Sequence, residues 1–90
     1  MAQLVSITLQ DTGAGRMICE AIQQDNPGVE IMRMPGAMKL DRENSLRINA
    51  ETVSEKLGRD WDPQEIHMTM ISMAGNLDEE DEYFALSWNR

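Results

Sequence analysis

A single α+β domain, with two helices packed on a mixed sheet, is the fold class that the sequence predicts. Three observations predict it: alternating apolar residues in the opening and closing segments, two stretches of helical spacing bounded by capping residues, and a length of 90 residues. A chain of this length buries only about 60 to 65% of its unfolded surface, so no second core is available and residues 1–90 are expected to form one domain. Hydrophobic residues at 41% and charged residues at 27% are ordinary for a folded unit and argue against disorder.

The first strand is Leu4 to Gln10, where Val5, Ile7 and Leu9 share one face and Ser6, Thr8 and Gln10 the other. Asp11 and Thr12 offer N-cap oxygens to a helix over Gly13 to Gln24, in which Met17, Ile18, Ala21 and Ile22 recur at helical spacing. Asn26-Pro27-Gly28 stops that helix, because proline disfavours helical geometry in the residue before it and glycine permits a sharp turn. Val29 to Met34 is rich in β-formers and reads as a second strand, ended by Pro35-Gly36 and followed by an extended piece at Ala37 to Leu40.

Asp41 to Asn44 reads as a polar turn, and Leu46 and Ile48 then alternate with Arg47 and Asn49 in a short strand. A two-turn helix opens at Asn49 or Ala50, with Val53 and Leu57 one turn apart and Gly58 suited to its C-terminal cap. Trp61 to Glu65 reads as a turn with room for one helical turn. Ile66 to Ala74 is expected to be the longest late strand, with Ile66, Met68 and Met70 facing one way and Thr69, Ile71 and Met73 the other. Apolar residues on both faces imply a central strand or one covered by a partner. Gly75-Asn76 turns the chain into an acidic loop, Asp78 to Glu82, after which Phe84, Leu86 and Trp88 alternate in a final strand. The expected order is β-α-β-(β)-β-α-β-β.

Sixteen acidic and eight basic side chains leave a formal charge of -8, which repels phosphate backbones and anionic headgroups. Nucleic acid and membrane are therefore poor partners. No apolar run approaches the roughly 18 residues that span a bilayer, and Met1 to Gln10 lacks a basic start and an apolar stretch, so a cytoplasmic location is expected. One cysteine, Cys19, and one histidine, His67, cannot supply the ligand sets of a structural zinc or iron-sulfur site. No metal or cofactor is expected.

Asp11-Thr12-Gly13-Ala14-Gly15-Arg16 has the outline of a phosphate-binding loop but neither the glycine, lysine and hydroxyl spacing of a P-loop nor the third glycine of a dinucleotide fingerprint, and it reads as a capped helix start. Neither His67 nor Cys19 has an identifiable orienting partner, so no catalytic residue is assigned. The carboxylates of Asp78 to Glu82 read as a solvated loop rather than an acid-base dyad, which needs a cleft to split its pKa values, and their spacing is not that of an EF-hand. Five adjacent carboxylates also project a negative field that steers the chain toward a basic surface. Methionines concentrate in three strand-like segments, and flexible thioethers make adaptable binding surfaces as well as fillers of irregular cores. The candidate partner surface is accordingly Met32, Met34, Met38, Met68, Met70, Ser72, Met73 and Asn76, with Asp78, Glu79, Glu80 and Asp81 aiding encounter. Trp61 and Trp88 read as packing anchors.

Leu57-Gly58-Arg59-Asp60-Trp61-Asp62, Gln64-Glu65-Ile66, Ile71-Ser72-Met73-Ala74-Gly75, Asp78-Glu79-Glu80-Asp81 and Phe84-Ala85-Leu86-Ser87-Trp88, together with Ala21-Ile22 and Asp25-Asn26-Pro27, resemble the regulatory proteins of bacterial phenol hydroxylases. The resemblance runs from Leu4 to Trp88, is more distant for the toluene and methane monooxygenase effectors, and is expected not to include the long N-terminal tail of the methane member. It implies a non-catalytic effector without metal or organic cofactor. Its partner would be the large subunit of the diiron hydroxylase, near the diiron centre, with a functional link to the NADH-dependent reductase and an effect on active-site access and on coupling of electrons to phenol hydroxylation. Met32 to Leu40 departs from the family pattern. The alternatives are a small-molecule-binding regulatory domain of helix-on-sheet type and a minor enzyme built on His67 or Cys19.

Overall fold

A computed structural model describes residues 3–88 and is organised around β1 (Leu4–Gln10), which is hydrogen-bonded on both sides. The remaining elements are α1 (Gly13–Asp25), β2 (Glu30–Met34), β3 (Ala37–Glu43), β4 (Ser45–Asn49), α2 (Ala50–Leu57), a 3-10 helix (Pro63–Met68), β5 (Met70–Ala74), β6 (Asn76–Glu79) and β7 (Tyr83–Ser87). The class is α+β with two main helices, as the sequence predicts. The expected single mixed sheet is instead two sheets, four-stranded β2-β3-β1-β5 and three-stranded β4-β7-β6, and every pairing is antiparallel. The reason lies in two bends.

β3 passes into β4 through Asn44, and β5 into β6 through Gly75, each a single residue in a left-handed or otherwise positive-φ conformation (φ 74 and 137). A β-carbon on Gly75 would stand 3.1 Å from Val5 Cγ1 and 3.4 Å from Leu86 Cβ, so glycine is needed there for space as well as for φ. The two bent strands flank β1 in one sheet and β7 in the other. Because β4 continues β3, the antiparallel pairings make β7 and β1 run in the same sense, end to end. Their junction is hydrogen-bonded: Trp88 N–H donates to Asn44 O (3.3 Å), Asn44 N–H to Gln3 O (2.8 Å) and Trp88 Nε1 to Leu4 O (2.6 Å).

The strand alternation delivers Val5, Ile7 and Leu9 of β1, Met38 and Leu40 of β3, Leu46 and Ile48 of β4, and Phe84 and Leu86 of β7 to one core. Helix α1 covers it with Ile18, Cys19, Ala21 and Ile22, while Val53, Trp61 and Ile66 close its end. Thr12 caps α1, its Oγ1 accepting from Gly15 N–H at 3.0 Å, and a β-carbon on Gly15 would collide with the Gln10 carbonyl. At the other end the buried Asn26 side chain imitates a strand partner, accepting from Arg47 N–H (2.8 Å) and donating to Arg47 O (2.7 Å) and Ile22 O (2.9 Å). That one residue ties the end of α1 to β4.

Three segments differ from the sequence reading. Asp41 to Glu43 is strand rather than turn, because pairing with Leu4 to Ser6 of β1 satisfies its backbone, while Ser6 Oγ donates to Asp41 and Lys39 stands 3.8 Å from it. Ile66 to Thr69 is not strand: Pro63 sets the first helical φ, and Asp62 and Glu65 cap the amides of Gln64 (2.9 Å) and Asp62 (3.0 Å), so a 3-10 helix forms first. The apolar alternation of Ile66, Met68 and Met70 therefore does not describe one strand face. Asp78 and Glu79 belong to β6, held by pairing to Ala85 and Phe84 of β7, and only Glu80 to Glu82 remain in the turn. Among the described residues no helix is long and apolar enough to cross a membrane.

Two substitutions test this frame. Gly75→Val is expected to destabilise the domain by about 2 kcal/mol, from backbone strain and collision. Asn26→Ala is expected to cost roughly 2 kcal/mol by leaving the Arg47 peptide groups unpaired. Urea unfolding midpoints of both variants check this, and wild-type midpoints would show that neither contact constrains the fold.

Candidate functional site

Most of the exposed large apolar side chains lie on the edge strands β2, β5 and β6, while Leu4 is on β1, Met68 on the 3-10 helix and Trp88 beyond β7. On β2, Met32 and Met34 pair with Lys39 and Ala37 on the solvent face of the four-stranded sheet, whereas Ile31 pairs with Leu40 and packs on the core. Met32 is 58% exposed. Met38 is the correction: it shares the inner face of β3 with Leu40, is 1% exposed, and accepts a contact from Arg33 Nη1 on its Sδ at 3.4 Å. It belongs to the core and leaves the candidate surface. Met70 is half-buried against the same core.

β5 is the outermost strand of its sheet, not a central one. Its register to β1 slips between Thr8 and Leu9, where Ser72 and Met70 are successive partners and Ile71 is the extra residue. Such a bulge re-aims a side chain and interrupts an edge, and Ile71 is 55% exposed. Ser72 pairs with Thr8 on the outer face, and Met73 pairs with Ile7 on the core side but remains exposed, since among the described residues no strand pairs beyond β5. Met68, at the end of the 3-10 helix, is 71% exposed. Across Gly75, Asn76 and Leu77 continue the exposed edge into β6. The sequence reading includes Ile71 only as part of the Ile66 to Asn76 strand and turn and leaves out Leu77, for which the isolated leucine between Asn76 and Asp78 is the available signal.

The acidic run is divided by structure. Asp78 accepts from Tyr83 Oη at 3.1 Å, beneath an Arg47 guanidinium 3.9 Å from the Tyr83 ring, and this hydrogen bond to a carboxylate raises the Tyr83 pKa. Glu79 pairs with His67 Nε2 at 3.0 Å, and the imidazole stands edge-on to Phe84. Glu80, Asp81 and Glu82 form the turn, whose backbone is held by Glu80 N–H to Tyr83 O and Ala50 N–H to Glu82 O, both 2.9 Å. Sequence sharpens the electrostatics. Between Arg59 and Arg90 there is no lysine or arginine, while Asp60, Asp62, Glu65 and the five acids from Asp78 to Glu82 make half of the chain's 16.

The groups with latent chemistry are occupied structurally. Cys19 is buried in α1, and desolvation pushes its thiol up, which opposes thiolate formation. The Asp11–Arg16 motif is a capped helix start, with Arg16 Nε 2.7 Å from Asp11 Oδ1 and the Asp11 carboxyl held down by that hydrogen bond. Surface clefts near Pro27 and Arg42, and near Asp25 and Glu51, are lined largely by polar side chains, while Ile18, Ile22, Leu46 and Ile48 fill the space between helices and sheet. What the site offers is therefore a surface: apolar edge residues bordered by carboxylates.

Comparison with known proteins follows the same outline. A family model described as the MmoB/DmpM family matches residues 3–87. The chain is 43% identical over 88 residues to the phenol 2-monooxygenase stimulatory component DmpM of Pseudomonas sp. (strain CF600), covering 98% of each. A chain in a structure of a phenol hydroxylase–regulatory protein complex superposes with a TM-score of 0.92 at 48% identity, over 97% of this chain and 100% of that one, and a second such structure gives 0.88 at 45%, over 96% and 100%. The soluble methane monooxygenase regulatory protein B shares the fold, with a TM-score of 0.76 at 17% identity over 96% of this chain and 65% of that one.

The cap that positions Met68 is pH-sensitive. Arg59 Nη2 and Nη1 bond the Glu65 carboxylate at 3.1 and 3.3 Å, and this pair, followed by the Asp62 amide, lowers the Glu65 pKa. A depressed carboxylate stabilises the fold above its unfolded pKa and loses that contribution as pH falls through the folded value. Melting temperature measured from about pH 6 to pH 3, across the ordinary glutamate range, is expected to fall less steeply in Glu65→Gln than in wild type. Parallel curves would show that the cap contributes nothing to acid sensitivity.

Proposed function

The chain belongs to the MmoB/DmpM family, and from that premise we propose that it is the regulatory, stimulatory component of a phenol hydroxylase. In this reading residues 1–90 form one effector domain that binds the hydroxylase and performs no chemistry of its own. The observation that carries it is the full-length match, in sequence to a stimulatory component and in shape to a chain of a phenol hydroxylase–regulatory protein complex. The partner is the large subunit of the diiron hydroxylase, with a functional link to the NADH-dependent reductase.

A protein that contributes no reactive group changes a distant reaction by binding one conformation of its partner better than another. About 1.4 kcal/mol of preference changes a population ratio tenfold. A surface of exposed edge residues supplies that order of differential contact. The finer reading is that docking shifts access to the diiron site and couples NADH-derived electrons to hydroxylation. The contact residues are Met68, Ser72, Met73 and Asn76, with Met32 and Met34 on the same sheet's far edge and Asp78, Glu79, Glu80 and Asp81 assisting encounter.

Reconstitution tests this directly. Adding the chain to a phenol hydroxylase and its reductase is expected to raise phenol converted per NADH consumed, saturably. Turnover and yield independent of the chain would remove the reading.

A further inference from the structure

Residues 70–79 give little to the core: Met70 packs against it from the side, Gly75 is half-buried, and the rest are exposed. β5 is held by β1 alone and β6 by β7 alone, and among the described residues no strand pairs with either on its other side. The ladder to β1 is also interrupted by the Ile71 bulge. A segment with so few buried apolar contacts opens at a lower cost than the whole domain. Its two ends nevertheless meet. A straight strand over residues 70–79 would span roughly 30 Å, yet His67 Nε2, just before β5, lies 3.0 Å from Glu79 Oε1 at the end of β6. The chain folds back at Gly75 (φ 137), which packs against Val5 and Leu86. β5 and β6 therefore form an arch with Gly75 at its apex and the His67–Glu79 contact across its mouth. Phe84 stands behind that contact, its ring edge-on to the imidazole at 6.2 Å between centroids and its backbone in register with Glu79.

We propose that this arch is a two-state element of the free chain: it opens as one unit, β5 leaving β1 and β6 leaving β7, and the His67–Glu79 contact is the clasp that sets how often it does so. Gly75 couples the two strands, because a single residue joins them and neither can leave without drawing it from between Val5 and Leu86. The 3-10 helix stays behind. Its Asp62 and Glu65 caps and the fully buried Ile66 hold it in place, so His67 is a fixed post and Glu79 the moving partner. Opening uncovers one side of β1 and of β7, while α1, β3 and β4 keep the rest of the core packed. The device belongs to the chain alone and stands apart from the regulatory reading.

Native-state hydrogen exchange of the free full chain, at constant pH and across low urea concentrations, tests this. The protected amides of β5 and β6 are expected to exchange through one shared opening, with a common urea slope well below that of the β3 amides bonded to β1, which wait for global unfolding. His67→Ala and Glu79→Ala are each expected to raise that opening about two- to fivefold, the range of an exposed ion-pair contact, and the double variant no further than either single one. Glu80→Ala, which removes a carboxylate outside the clasp, is expected to leave it unchanged. Exchange of residues 70–79 only through global unfolding, separate openings for β5 and β6, or wild-type opening in both single variants would overturn the proposal. So would additive effects in the double variant, an equal effect of Glu80→Ala, or an equal acceleration of the β3 amides, since each would mean that His67 and Glu79 do not act on the arch through one another.

Discussion

Everything in this fold turns on two single-residue bends that let one pair of strands serve two sheets. Asn44 and Gly75 adopt backbone conformations that ordinary strand residues avoid, and both stand where the end of β7 meets the beginning of β1. The hydrogen bonds of Trp88 and Asn44 to the Gln3 and Leu4 carbonyls hold the two chain ends in line. The bends allow the inner faces of both sheets to address one core of buried residues, which a flat seven-stranded sheet of this size would leave largely wet.

The same geometry creates the surface available for recognition. Since β1 and β7 occupy the middle, β5 and β6 are forced to the outside, and side chains that alternation would have buried in a central strand stay in water. A small domain cannot cover these edges with a further layer. Their residues are apolar or uncharged in the centre and acidic at one end. Regulation by a protein without reactive groups needs no more than a surface whose fit differs between two states of the partner.

Much of this was legible from local chemistry. The alternation of Val5, Ile7 and Leu9, the Thr12 cap, the stop at Asn26-Pro27, the Gly58 cap and the alternation of Phe84 and Leu86 each have a short-range cause, and each element formed where its cause lies. The errors came where two local signals competed. Ile66, Met68 and Met70 alternate as a strand would, yet Asp62, Pro63 and Glu65 supply a helix start, and the cap prevails because its hydrogen bonds close within three residues. Met38 and Met32 are alike in composition and neighbourhood, but one lies on the inner face of β3 and the other on the outer face of β2.

By itself the sequence determined the α+β class, the two helices, most strand positions and an anionic chain whose residues resemble a family of regulatory proteins. The class, the elements and the charge follow from residue type and the spacing of a few positions, while the resemblance rests on the matching blocks of residues. Only the tertiary structure decided that there are two sheets, that β5 is an edge, that Ile71 and Leu77 are exposed while Met38 is buried, and that Asp78 and Glu79 are tied to Tyr83 and His67. Strand order depends on pairings between residues up to some 70 positions apart, such as Ile7 with Met73, and alternation along a segment names its two faces without saying which one the rest of the chain will cover.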